Sequence, residues 1–177
     1  MRLLGCHFDC ARAVVCYDDI SAPMILNFKY NGQAWQKEPL ANLLKDYFEN
    51  SDISADCVTY VPMPEKREKE RGYNQAKLLA EEFSRKTGMP LFDFLIRKEE
   101  TIKQSTLSAE QRKKNIIGSF SLINKNLIKG KDVLLIDDVS TTGATASECA
   151  KMLKIGKARS VFVLTIAKTS RESKLLK

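Results

Sequence analysis

The chain has 177 residues, 44% of them apolar, and its 29 basic and 22 acidic side chains leave a net charge of +7. This length suits one domain with its own core, and the apolar share excludes an intrinsically disordered chain. Apolar runs such as Val133-Leu134-Leu135-Ile136 fall far short of the ~18 residues of a spanning helix, so no membrane partner is expected. The basic excess favours anionic partners without choosing among phosphates, nucleic acid and acidic surfaces.

Five cysteines, Cys6, Cys10, Cys16, Cys57 and Cys149, make an odd set in a chain too long to need disulfide staples. Reduced thiols and a cytoplasmic location are expected. Leu3-Leu4-Gly5-Cys6 imitates a lipoprotein cleavage site, but no apolar stretch of about 7–15 residues precedes it. Cys6, Cys10 and Cys16 also suggest a metal cluster. A structural zinc site wants paired knuckles, the second knuckle is missing and His7 is poorly spaced, so zinc is not expected.

In chain order, residues 12–17 read as a strand. Ser21 then caps a helix with Pro23 in its first turn, running to about Tyr30 and stopping at Gly32. Over residues 38–49, Leu40, Leu43, Leu44, Tyr47 and Phe48 keep the spacing of an amphipathic helix. Residues 57–61 form a short strand broken by Pro62 and Pro64. From Arg71 to Lys86 one helical face carries Ala76, Leu79, Ala80 and Phe83, and Gly88 and Pro90 end it.

Residues 91–96 read as a strand. Residues 98–115 are polar and charged, with a capping-box spacing at Ser108 and Gln111. Residues 119–123 read as a further strand. Residues 131–137 are a buried strand ending in acid, 145–153 a helix closed by Gly156, and 160–166 a second buried strand. Near-continuous apolar strands alternating with helices predict an α/β fold, a parallel sheet covered by helices on both faces. Ligands of such sheets sit outside the carboxyl ends of the strands.

The most informative stretch runs from Val133 to Thr145. A buried strand delivers Asp137 and Asp138, and a loop of Ser140, Thr141, Thr142, Gly143, Ala144 and Thr145 opens a helix. Small hydroxyl residues and backbone N–H groups at a helix start make a phosphate cradle, and Gly143 permits positive φ. The two carboxylates suit the hydroxyls of a vicinal diol, or Mg²⁺ held directly or through water. Together they describe a ribose-5-phosphate site. A strand ending in Asp-Asp also occurs beside ATP–Mg²⁺, but no glycine here begins the required G-x4-G-K-[ST] loop.

This stretch resembles the 5-phosphoribosyl-1-pyrophosphate (PRPP) motif of type I phosphoribosyltransferases. The run from Val61 to Ala76, with Arg71-Gly72-Tyr73-Asn74-Gln75 at its centre, is similar to the ComF/GntX family signature. So are Arg97, Thr101, Gln104, Leu107, Arg112, Asn115 and Gly118-Ser119-Phe120, with Phe28-Lys29-Tyr30 and Gly32 earlier. The resemblance covers roughly residues 11–167. The family often opens with a four-cysteine zinc segment, of which only Cys6 stands where such a segment would end.

The resemblance implies a Rossmann-like parallel sheet, the type I phosphoribosyltransferase fold, with a small N-terminal hood at residues 1–35 and a core at 36–177. It implies that residues 62–67 form a pyrophosphate loop with Lys66 and Arg67 as its charges; a solvated charge run is the plain alternative. It implies that residues 98–115 form a catalytic lid carrying Lys103, Arg112 and Lys113. Asn74 and Gln75 either bond a ligand or cap and pack locally. Phe28, Tyr30 and Trp35 either stack on a base or belong to the core.

The activity so implied is transfer of the 5-phosphoribosyl group from PRPP–Mg²⁺ to a nitrogenous base, with Asp137, Asp138, Lys103 and Arg112 at the reaction. The other reading is a non-catalytic module acting with DNA-uptake proteins in natural competence. Direct DNA binding is not expected, since no nucleic-acid motif interleaves aromatics with the basic runs. Homodimers are frequent in the superfamily.

Overall fold

The computed structural model describes residues 6–18, 21–30, 34–98 and 116–169. Its centre is a parallel sheet of β1 (Cys10–Tyr17), β2 (Cys57–Tyr60), β5 (Asp132–Ser140) and β6 (Ser160–Thr169), in the order β1-β6-β5-β2. All its pairings are parallel. The two middle strands carry the near-continuous apolar runs, and Val133–Ile136 are fully buried.

Between β1 and β2 the chain forms α1 (Ser21–Tyr30) and α2 (Lys37–Glu49). After β2 come α3 (Glu65–Arg71) and α4 (Gln75–Thr87). An antiparallel pair follows, β3 (Leu95–Arg97) with β4 (Phe120–Leu122), and α5 (Ala144–Ile155) joins β5 to β6. Right-handed crossovers put α2 and α4 on one face of the sheet and α5, with β3–β4, on the other. α2 packs on α4, α4 on β5 and β2, and α5 on β6, β5 and β4.

Three sequence expectations are corrected here. The segment expected as one helix from Arg71 begins earlier and breaks. Residues 65–71, Glu-Lys-Arg-Glu-Lys-Glu-Arg, are already helical, supported by strong helix formers and a Glu65–Lys69 pair at 2.6 Å. Gly72 then turns left-handed (φ +86°) and Asn74 caps a new helix. The strand expected at 91–96 is divided: Leu91 bridges to Val58 in parallel, whereas Leu95–Arg97 pair with Phe120–Leu122. Burial of Phe94 and Leu95 outside the main sheet draws the chain away.

β5 also outlasts its apolar run. Pairing with β6 continues through Val139↔Ala167 and Ser140↔Lys168, because ladder bonds ask nothing of the side chains. β1, from the segment expected as a hood, is hydrogen-bonded into the central sheet beside β6. At the amino ends of the strands, Arg159 donates to Asp132 at 2.8 Å and lies 3.5 Å from Asp56.

Candidate functional site

β5 ends at the carboxyl edge of the sheet, between β6 and β2. Asp137 lies opposite Thr165 of β6. The two-residue period of a strand sends Asp137 and Asp138 to opposite faces. Asp137 faces α5, where its charge helps push the buried Cys149 thiol upward, second to burial itself. Each carboxylate also turns back on the chain: Asp137 Oδ1 accepts the Asp138 N–H at 2.9 Å and Asp138 Oδ1 the Val139 N–H at 2.7 Å. Both side chains are half-buried.

The hydroxyl loop follows at once. Ser140 closes β5, Thr141 and Thr142 are exposed, and Gly143 caps α5 in the left-handed region (φ +76°). Ala144 and Thr145 form the first turn of α5, and Thr142 Oγ1 accepts the Ala144 N–H at 3.3 Å. That first turn holds no acidic side chain, and the positive end of the helix dipole faces the loop. Acids, hydroxyls and helix start are thus gathered at one strand end, as the sequence predicts.

Lys66 and Arg67 were expected on a loop but lie in the first turn of α3. The turn between β2 and α3 is Pro62-Met63-Pro64, and Pro64 (φ −58°) stands as N-cap of a helix that starts at Glu65. Lys66 is exposed and Arg67 half-buried, beyond the carboxyl end of β2.

The signature run resolves into fold-making parts. Gly72 provides the left-handed residue that ends α3. The Tyr73 hydroxyl donates to the Phe28 carbonyl at 2.6 Å, and the two rings lie 6.0 Å apart. Asn74 Oδ1 accepts from the N–H groups of Ala76 and Lys77, while Nδ2 donates to the Val61 carbonyl at 3.2 Å. Asn74 therefore caps α4 and pins the end of β2. Gln75 is buried, and its Oε1 accepts from Arg71 at 3.3 Å. Lys103, Gln104, Arg112, Lys113 and Asn115 lie outside the described residues.

Phe28 is core, whereas Trp35 is 68% exposed. Sequence reasoning missed Phe8, which packs beneath the loop, and Glu148 of α5, a buried acid that accepts the Gly118 N–H at 3.0 Å. Glu148 had no periodic signal: by helical spacing it stands off the stripe of Ala146, Cys149, Ala150 and Leu153. Phe8 had none.

A Mg²⁺ ion keeps several waters and takes one or two carboxylates with the phosphates of its substrate. Asp137 and Asp138 fit that modest demand. Among the described residues no group of three or more His, Cys, Asp and Glu side chains gathers into a metal cage. Cys6 and Cys10 are half-buried and Cys16 is exposed.

Comparison with known proteins agrees with this fold. Residues 69–177 match the phosphoribosyl transferase domain family. Competence protein F of Haemophilus influenzae is 35% identical over 138 residues, 74% of this chain and 60% of that protein. Competence protein ComFC of Bacillus subtilis is 31% identical over 165 residues, 89% of this chain and 64% of that protein. The chain thus spans under two thirds of the length of these curated relatives. The glutamine PRPP amidotransferase of B. subtilis superposes with a TM-score of 0.54 at 21% identity, over 80% of this chain and 30% of that chain, a likeness of fold. The chain belongs to the phosphoribosyl transferase domain family, in the ComF branch of the type I phosphoribosyltransferases.

Proposed function

We propose that this protein binds PRPP–Mg²⁺ at the carboxyl end of β5 and transfers its 5-phosphoribosyl group to a nitrogenous acceptor. The observation that carries the reading is the junction itself: two carboxylates and a hydroxyl-rich, glycine-capped helix start on consecutive residues of one strand end. Loop 140–145 holds the 5-phosphate by backbone N–H groups and hydroxyls. From the two sides of the strand end, Asp137 and Asp138 accept from the ribose hydroxyls and help hold the magnesium that travels with PRPP.

In the reaction the bond from the ribose anomeric carbon to pyrophosphate breaks and pyrophosphate leaves with the electron pair. The acceptor nitrogen bonds to the same carbon and gives its proton to solvent. The transition state is cationic at the sugar, so the protein's task is positioning and charge stabilisation. Lys66 and Arg67 of α3, beyond the carboxyl end of β2, are the cations assigned to the leaving pyrophosphate. Residues 98–115, with Lys103 and Arg112, serve as the lid. The names of the relatives support a role in competence, where DNA-uptake proteins are the partners.

Calorimetric titration of the full chain with PRPP, with and without Mg²⁺, tests the reading. Metal-dependent binding in the micromolar range is expected, followed by pyrophosphate release with an accepted base. A folded sample that ignores PRPP would instead make the site a scaffold for partner proteins.

A further inference from the structure

We propose that Phe8 is a positioning residue for the phosphate loop, holding loop 140–145 from beneath through Gly143; this rests on reading that loop as the 5-phosphate cradle. Phe8 belongs to no helix or strand, yet it is only 7% exposed. A Cβ placed on Gly143 would stand 3.8 Å from Phe8 Cζ and 3.9 Å from Cε1, so the ring faces Gly143 across the space a side chain would begin to fill. Gly143 is the left-handed residue that turns the loop into α5. Whatever bears on it bears on the direction of the N–H groups that follow.

Anchors on both sides keep the ring in place. The His7 N–H donates to the Ser147 hydroxyl at 3.1 Å, one turn into α5. The Asp9 N–H donates to the Val161 carbonyl at 2.9 Å, and the Val161 N–H donates back to the Asp9 carboxylate at 2.8 Å. Lys154 pairs with the same carboxylate oxygen at 2.7 Å. Short contacts to α5 and β6 therefore fasten residues 7–9 against the elements that carry the loop.

The space beside the ring explains why it matters. A small solvent-open pocket of about 50 Å³ lies next to it, bordered by Ala11 and Ala13 of β1 and Val163 and Thr165 of β6. Ser140 and Gly143 of the loop form another part of its wall. The register pairs Ala11 with Val163 and Ala13 with Thr165, so these small side chains share one face of the sheet. Phe8 is the one aromatic ring among the lining residues. Without it the pocket widens against the loop, the loop gains conformers that misdirect its N–H groups, and affinity falls with the competent fraction.

Amide hydrogen exchange on the free protein and calorimetry with PRPP–Mg²⁺ test this on Phe8→Ala, Phe8→Leu and Arg159→Ala. Phe8→Ala is expected to speed exchange over residues 141–147 while residues 133–136 stay protected, and to weaken PRPP binding by about tenfold. Phe8→Leu should recover most of both losses. Arg159→Ala loosens the opposite end of the sheet and should lower the melting temperature while leaving loop exchange and affinity unchanged. Phe8→Val replaces the alanine variant should that one not fold. Exchange over 141–147 that stays at the wild-type rate in Phe8→Ala overturns the proposal whatever PRPP does. Wild-type affinity in Phe8→Ala also overturns it, with the cradle reading intact. A wild-type protein that fails to bind PRPP overturns the cradle reading itself.

Discussion

The Gly118 N–H donates to a buried carboxylate oxygen of Glu148 at 3.0 Å, tying the approach to β4 to the middle of α5. Lys151, one turn on, lies 3.5 Å from the same oxygen. The helix that begins at loop 140–145 is thereby fastened to the antiparallel pair β3–β4.

Removing that acceptor breaks a part-buried bond whose donor, on exposed Gly118, can turn to water. Glu148→Ala should cost about 0.5–1.5 kcal/mol of stability in urea unfolding. Glu148→Gln keeps a carbonyl for Gly118 and should lose less. An alanine variant as stable as wild type would mean the bond contributes nothing net.

Asp137→Asn combined with Asp138→Asn should abolish PRPP binding. Both side chains are half-buried and already accept backbone N–H groups, which an amide oxygen can also do, so the fold should survive. Circular dichroism checks the fold and calorimetry the binding. Unchanged affinity would remove these carboxylates from the site.

Asn74 serves two bonds at once. Asn74→Ala should destabilise by about 1–3 kcal/mol through loss of the cap and of the Val61 contact. Asn74→Asp keeps an oxygen for Ala76 and Lys77 but gives up the donor to Val61. Its stability should fall between the other two, which would separate the cap from the pin on β2.

Acid should weaken the fold through particular carboxylates. Arg85 donates to Glu82 and holds its carboxyl below the ordinary 4.5, against the opposing effect of burial. Arg159 likewise holds Asp132 below 3.8. Both groups bind protons less readily folded than unfolded. Their stabilisation is therefore fully present above those ordinary values and is lost as the pH falls through the lower folded ones. The melting temperature should drop between about pH 5 and about pH 3, and less steeply in Glu82→Gln. Identical slopes would clear Glu82 of the effect.

Thiol chemistry should divide the cysteines. Burial pushes Cys149 well above its ordinary value and raises Cys57 to about 11. Iodoacetamide at about pH 8 should modify the exposed Cys16 and spare Cys57 and Cys149 until the protein is unfolded. Mass spectrometry of the native and denatured samples reads the difference.

What the sequence determined by itself is local and periodic. Four branched aliphatics followed by two acids, small hydroxyls and a helical apolar face specify strand, loop and helix in that order. The candidate site is legible because its parts are consecutive in the chain. The torsional and solvation preferences behind them act over a few residues. Even there the reading is incomplete: residues 62–67 read as a loop, and the helix at 65–71 shows only when the Glu65–Lys69 spacing is given its weight. The tertiary structure alone decided which distant groups meet. β1 joins β6, Asn74 reaches the carbonyl of Val61, Tyr73 ties down α1, and Phe8 lies under Gly143. A side-chain pattern states which face is apolar but not which surface will cover it, because that choice is made by packing the whole core at once.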